Sequence, residues 1–133
     1  MNTAKLIHDT ILFVKQTLAD AEGGHDWFHI ERVYKNALLI AKSESCDTLV
    51  VQLGALLHDI ADSKFHGVQI IENISFKGGK TKRKFSSIEL DIVQDADRLD
   101  AIGAIGIARA FNYGGFKNRA LYNPEVAPNL KMP

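Results

Sequence analysis

The stretch Ala55-Leu56-Leu57-His58-Asp59-Ile60-Ala61-Asp62 closes an apolar helical run with an adjacent histidine and aspartate, and a second aspartate follows three residues on. Burying an imidazole beside two carboxylates costs several kcal/mol unless something compensates, and a divalent cation is the usual compensation. Two other stretches carry the same residue types: Asp26-Trp27-Phe28-His29-Ile30-Glu31-Arg32-Val33 upstream and Asp95-Ala96-Asp97-Arg98-Leu99 downstream.

Together, His29, His58, Asp59 and one of Asp95 or Asp97 supply two imidazoles and two carboxylates. That mixture suits manganese, iron, magnesium, nickel, cobalt or zinc better than an ion that demands thiolates. Four such ligands on an octahedral ion leave about two positions for water and a substrate oxygen. An ion held this way lowers the pKa of water and polarises a phosphoryl oxygen. Neighbouring His58 and Asp59 diverge by about 100° on a helix, so both reach one ion only at the helix end. Asp62 comes round to that end one turn after His58, placed to exchange a proton without binding the metal. Periodicity leaves Asp95 and Asp97 undecided, because they point to opposite sides and both border the apolar stripe. His25 and His29, at i and i+4, form an alternative zinc-type pair. The chemistry requires three helices to converge on one cation, and separations beyond about 10 Å would exclude a shared coordination sphere.

The elements that would position these groups are helical. Residues 3–19 place Leu6, Ile7, Ile11, Val14 and Leu18 on one side, as a lid helix with His8 and Asp9 on its solvated face. Gly23-Gly24 breaks it. A second helix is expected from His25 to Ser43, with Asp26, His29 and Arg32 on one face near its start. Asp47 or Thr48 caps a third helix, about Leu49 to Ile60, whose all-round apolarity predicts a central position. Phe76 to Lys84 reads as a basic surface loop without the spacing of a P-loop. Ser86-Ser87-Ile88-Glu89 reads as a capping box opening a helix through Leu99. Gly103 and Gly106 would permit close approach of a neighbouring helix, and Asn112 to Pro133 reads as a loop-rich tail. No strand alternation of convincing length appears, which predicts an all-α bundle.

The chain has 133 residues, 46% hydrophobic and 24% charged, which predicts one globular domain over 1–133. Sixteen basic and sixteen acidic side chains cancel, so no nucleic-acid polymer and no anionic membrane surface is expected as partner. A single cysteine, Cys46, excludes an internal disulfide and fits a reducing, cytoplasmic setting. No signal-peptide core or membrane-length apolar run is present.

His29-Ile30-Glu31-Arg32-Val33, then His58-Asp59, then Ala96-Asp97-Arg98-Leu99 resembles the H…HD…D signature of the HD-domain superfamily of metal-dependent phosphohydrolases. The subgroup it most resembles is the small bacterial hydrolases with Gly-His-Asp-Trp near the start. They share phrases such as Asn73-Ile74-Ser75-Phe76-Lys77 and Val93-Gln94-Asp95-Ala96-Asp97-Arg98-Leu99-Asp100-Ala101. The resemblance implies a compact helical bundle of the HD-domain type with one divalent ion held by His29, His58, Asp59 and Asp97, and so favours Asp97 over Asp95. It also implies proton transfer by Asp62. Asp26 and Arg32 then become partners of the ligands, and Lys64 and Arg98 contacts for phosphate, with structural ion pairing the competing reading for all four.

Two departures accompany the likeness. Members of the subgroup carry further helical residues between the His-Asp pair and the Asn-Ile-Ser-Phe phrase, whereas here His66 runs straight into Gly67. They also continue into helix after the Tyr-Gly-Gly loop, whereas this chain stops at Pro133. The expectation is a chain with residues missing at both places; a His66–Gly67 Cα separation of about 3.8 Å would refute the first. The implied activity is hydrolysis of a phosphomonoester or phosphodiester, with a nucleotide as the expected small-molecule substrate. The competing readings are a nucleotide-sensing regulatory module that keeps the metal without turnover, and a metal-free structural bundle. Substrate, native metal and oligomeric state are not encoded in these motifs.

Overall fold

Among the residues described by the computed structural model, 2–21, 25–60 and 85–127, the chain forms five helices and no strand. They are α1 (Thr3–Thr17), α2 (Trp27–Ala41), α3 (Thr48–Leu57), α4 (Ile88–Leu99) and α5 (Gly103–Phe116). The fold is all-α, as the patterning predicts. Asp62, Lys64, the His66–Gly67 junction and the basic loop 76–84 lie outside the described residues.

Four of the five helices begin on a side chain suited to the task. Asn2, Asp26, Asp47 and Ser87 each accept from a backbone N–H of the following turn, satisfying donors that have no partner within the helix. These caps correct two expectations. The second helix starts at Trp27 rather than His25, because Asp26 Oδ1 takes the His29 N–H at 3.0 Å. The anticipated capping box does not close: Ser87, not Ser86, caps α4, and Glu89 reaches instead to the N–H of Asp47 at 3.0 Å. That bond ties the start of α4 to the start of α3.

Two apolar clusters hold the bundle. Val33 and Ala37 of α2, Val51 and Ala55 of α3, and Leu90, Val93 and Ala96 of α4 form one. Ile7 and Val14 of α1 meet Ile30 of α2 and Leu56 of α3 in the other. Both clusters draw on α2 and α3, so the apolar third helix is central, as its composition predicts. Each fully buried valine, leucine or isoleucine among them stabilises the fold by about 1.5–3 kcal/mol. The lid helix is further tied down where Lys15 Nζ sits 4.6 Å from the Trp27 ring centroid. Cys46, packed against the α2/α3/α4 cluster, has its thiol pushed up by burial and by the nearby Glu89, Glu44 and Asp47 carboxylates. It is inert.

The expected tail is partly helix. α5 runs through Gly114-Gly115 and stops at Asn118, which adopts the left-handed conformation with φ 51°. The Asn118 N–H then donates to Gly115 and the Arg119 N–H to Gly114, at 3.0 and 2.8 Å, satisfying the last carbonyls in a Schellman arrangement. The stop signal was the asparagine, not the glycine pair. Gly106 does serve close approach, but to the chain itself: a Cβ there would clash with the Ala101 carbonyl oxygen. A Cβ on Gly114 meets nothing within 4 Å. Gly106→Ala is therefore expected to lower stability by about 1–3 kcal/mol, and Gly114→Ala to raise it by about 0.5–1 kcal/mol. Urea unfolding of the two variants checks the opposite signs.

Candidate metal centre

His29 lies in the first turn of α2 and His58 directly follows α3. The His58 ring terminates that helix: its Nδ1 donates to the Ala55 carbonyl at 2.8 Å, taking one of the acceptors left over at a helix end. The chain turns there, and Asp59 swings to the same side as His58, as a shared site at the helix end requires. Asp97 comes from the last turn of α4.

These four side chains converge. His29 Nε2 is 3.2 Å from His58 Nε2, 3.3 Å from an Asp59 oxygen and 3.5 Å from an Asp97 oxygen. His58 Nε2 lies 3.7 Å from Asp59 and 3.8 Å from Asp97. Ligands bonded at about 2.1 Å to one ion sit roughly 3.0 Å apart at adjacent octahedral positions and roughly 3.4 Å apart at tetrahedral ones. The His29–His58 and His29–Asp59 spacings fall within that range, and the other three lie slightly above it. Both histidines are buried, while Asp59 and Asp97 keep a third or less of their side-chain surface open to solvent.

The hydrogen bonds behind the rings make this more than proximity. His29 Nδ1 is 2.7 Å from the Asp100 carboxylate, and His58 Nδ1 faces a backbone carbonyl. An ionised carboxylate and a carbonyl only accept, so each neutral ring donates from Nδ1 and leaves Nε2 as a lone pair. Two lone pairs then face one another at 3.2 Å, flanked by two carboxylates. A divalent cation relieves that repulsion, with a proton as its competitor. The donor set fits such an ion.

Asp97 faces the cluster, and Asp95 turns away to pair with Arg98 at 3.1 Å. Arg98 also reaches Gln94 at 3.4 Å, so these contacts run along its own helix, consistent with structural ion pairing. Asp26 touches the site through the His29 backbone, and Arg32 through Asp100. His25 precedes α2, yet its Nδ1 donates to Asp59 at 2.8 Å, so the anticipated His25–His29 pairing recurs as a His25, His29, Asp59 group. His29 has one Nε2 lone pair and cannot serve that group and the His29, His58, Asp97 group with separate ions. Burial alone would raise the Asp59 carboxyl; the hydrogen bond from His25 is foremost among the interactions that outweigh it and hold the group well below the usual range.

A profile described as the HD domain matches residues 27–86. The uncharacterised protein YpgQ of Bacillus subtilis (strain 168) is 40% identical over 140 residues, spanning 85% of this chain and 68% of YpgQ. The chain belongs to the HD-domain family. A crystal structure from Lactobacillus plantarum superposes with a TM-score of 0.84 at 34% identity, covering 99% of this chain and 72% of that one. An HD-superfamily hydrolase from Bacillus thuringiensis gives 0.67 at 40% identity, covering 96% and 74%. YpgQ in complex with ADP gives 0.70 at 35% identity, covering 94% and 73%. HD domains bind divalent metals, in keeping with the His/Asp groups described above.

Sequence reasoning passed over Asp100 and Arg109. The available signal was electrostatic: Asp95, Asp97 and Asp100 crowd the C-terminal end of α4, where the helix dipole disfavours negative charge. Burial would raise the Asp100 carboxyl, but hydrogen bonds from Arg32 and His29 hold it below its ordinary value. A carboxyl depressed in this way contributes stability that is complete above its unfolded pKa, about 4, and is lost as pH falls toward the folded value. In chelator-treated protein, the urea midpoint should therefore drop more between about pH 6 and about pH 3 for the parent than for Asp100→Asn. Parallel drops would show that Asp100 is not depressed.

Proposed function

We propose that this protein is a metal-dependent phosphohydrolase that cleaves a small phosphomonoester or phosphodiester, a nucleotide by preference, in the cytoplasm. The observation that carries the reading is the convergence of His29, His58, Asp59 and Asp97 with both Nε2 lone pairs turned inward. When bound, the ion would act as a Lewis acid that makes water a competent nucleophile and polarises the phosphoryl oxygen. His29 and His58 hold the buried side of that position, and Asp59 and Asp97 border its open side, where a phosphate ester can approach. His25, bonded to Asp59, orients that carboxylate at the mouth. Asp62 takes the proton-transfer role, Lys64 binds phosphate, and Arg98 would have to leave Asp95 to do the same. The nucleotide preference is supported by the ADP complex of YpgQ. The cytoplasmic setting is supported by the unpaired Cys46. Among the described residues no helix is long and apolar enough to cross a membrane.

The test is a phosphatase screen with added manganese, cobalt or nickel, run beside a thermal-shift screen of nucleotides. Turnover is expected, and His58→Ala or Asp59→Ala should lose both bound metal and hydrolysis. Asp62→Ala should keep the metal and lose about 10²–10⁴ in rate. Nucleotide stabilisation without turnover by the parent would replace the enzyme with a sensing module.

A further inference from the structure

The Asp100 carboxylate is only 3% exposed, yet it gathers donors from two other helices. Its Oδ1 accepts from Nε of Arg32. Its Oδ2 accepts from His29 Nδ1 at 2.7 Å, Arg32 Nη2 at 2.9 Å and Arg109 Nη1 at 3.0 Å. Arg109 Nη1 also donates to the Asp100 carbonyl oxygen, at 3.2 Å. Arg32 thus grips the carboxylate through both oxygens, the fork geometry that makes an arginine–carboxylate pair rigid as well as strong. With guanidinium donors on each oxygen, Asp100 has only acceptor capacity to offer His29.

We propose that Asp100 is the positioning residue of the metal centre: it holds His29 as the Nδ1–H tautomer and keeps the Nε2 lone pair aimed at the cation position shared with His58, Asp59 and Asp97. Arg32 fixes the carboxylate in the orientation this requires, and Arg109 ties α5 to the same point. The inference rests on the metal-centre reading above. A carboxylate behind a ligating imidazole sets its tautomer, its direction and its basicity, and removing such a partner typically lowers metal affinity 10–100-fold. His58 is oriented differently, by a carbonyl of its own helix, so Asp100 acts on His29 alone.

A merely structural Asp100 would clip helices together without touching the tautomer, and two measurements separate the roles. In metal-free parent protein at about pH 8, above the ordinary imidazole range, ¹⁵N NMR should find the His29 proton on Nδ1. A proton on Nε2 would overturn the proposal even if every Asp100 variant fails to fold. In Mn²⁺ titrations, Asp100→Ala should bind about 10–100-fold more weakly than the parent. Asp100→Asn should fall between, because its amide oxygen can still accept from His29 only by turning its NH₂ toward Arg32. Arg109→Gln, which loosens α5 but leaves the His29–Asp100 bond, should change Mn²⁺ affinity far less than Asp100→Ala. Equal affinity in the parent and Asp100→Ala overturns the proposal alone. No Mn²⁺ binding by the parent overturns the metal-centre reading and the proposal together.

Discussion

Two buried imidazoles bring their Nε2 atoms within 3.2 Å of one another, and most of the bundle serves that confrontation. Each ring is held from behind through Nδ1, one by Asp100 and one by Ala55, which keeps both Nε2 atoms turned toward the same point. Two carboxylates close in from the ends of α3 and α4. Such a cluster is tolerable inside a protein only if positive charge is delivered to its centre. The aliphatic packing of α2, α3 and α4 supplies the rigidity that keeps the four groups from separating.

Asp100 extends the same network outward. It ends α4, receives Arg32 from α2 and Arg109 from α5, and touches the ligand set through His29. α5 has no buried residue of its own among those described, and the hydrogen bonds of Arg109 to Asp100 are a main tie between it and the site. Stability and chemistry are therefore coupled at one carboxylate. The positive charge of two guanidiniums balances the buried Asp100 without entering the cation position.

The site is asymmetric in a useful way. Its histidines form a dry floor, and its aspartates border the solvent, where His25 adds a further imidazole beside Asp59. Local arrangement of charge, rather than the chain's zero net charge, sets the electrostatic character of the site.

The helical class, the central place of the third helix and the histidine and aspartate types that gather at the candidate site were legible in the sequence, because apolar periodicity and the adjacent His58-Asp59 pair are local properties of the chain. The caps were half legible: Asp47 and Ser87 announce helix starts, but only packing decided that Glu89 would turn to Asp47 instead of its own helix. Asn118 was missed as the end of α5 because the glycine pair before it looked like the stronger break; two glycines weaken a helix by about 2 kcal/mol in all, which the flanking turns and the Schellman closure offset. The choice between Asp95 and Asp97 is tertiary, since both border the same stripe and the rotation of α4 against α2 settles which one meets His29. Asp100 is tertiary for the same reason: its partners on α2 lie 68 and 71 positions away, a separation that no sequence pattern spans but that helix packing reduces to hydrogen-bond length.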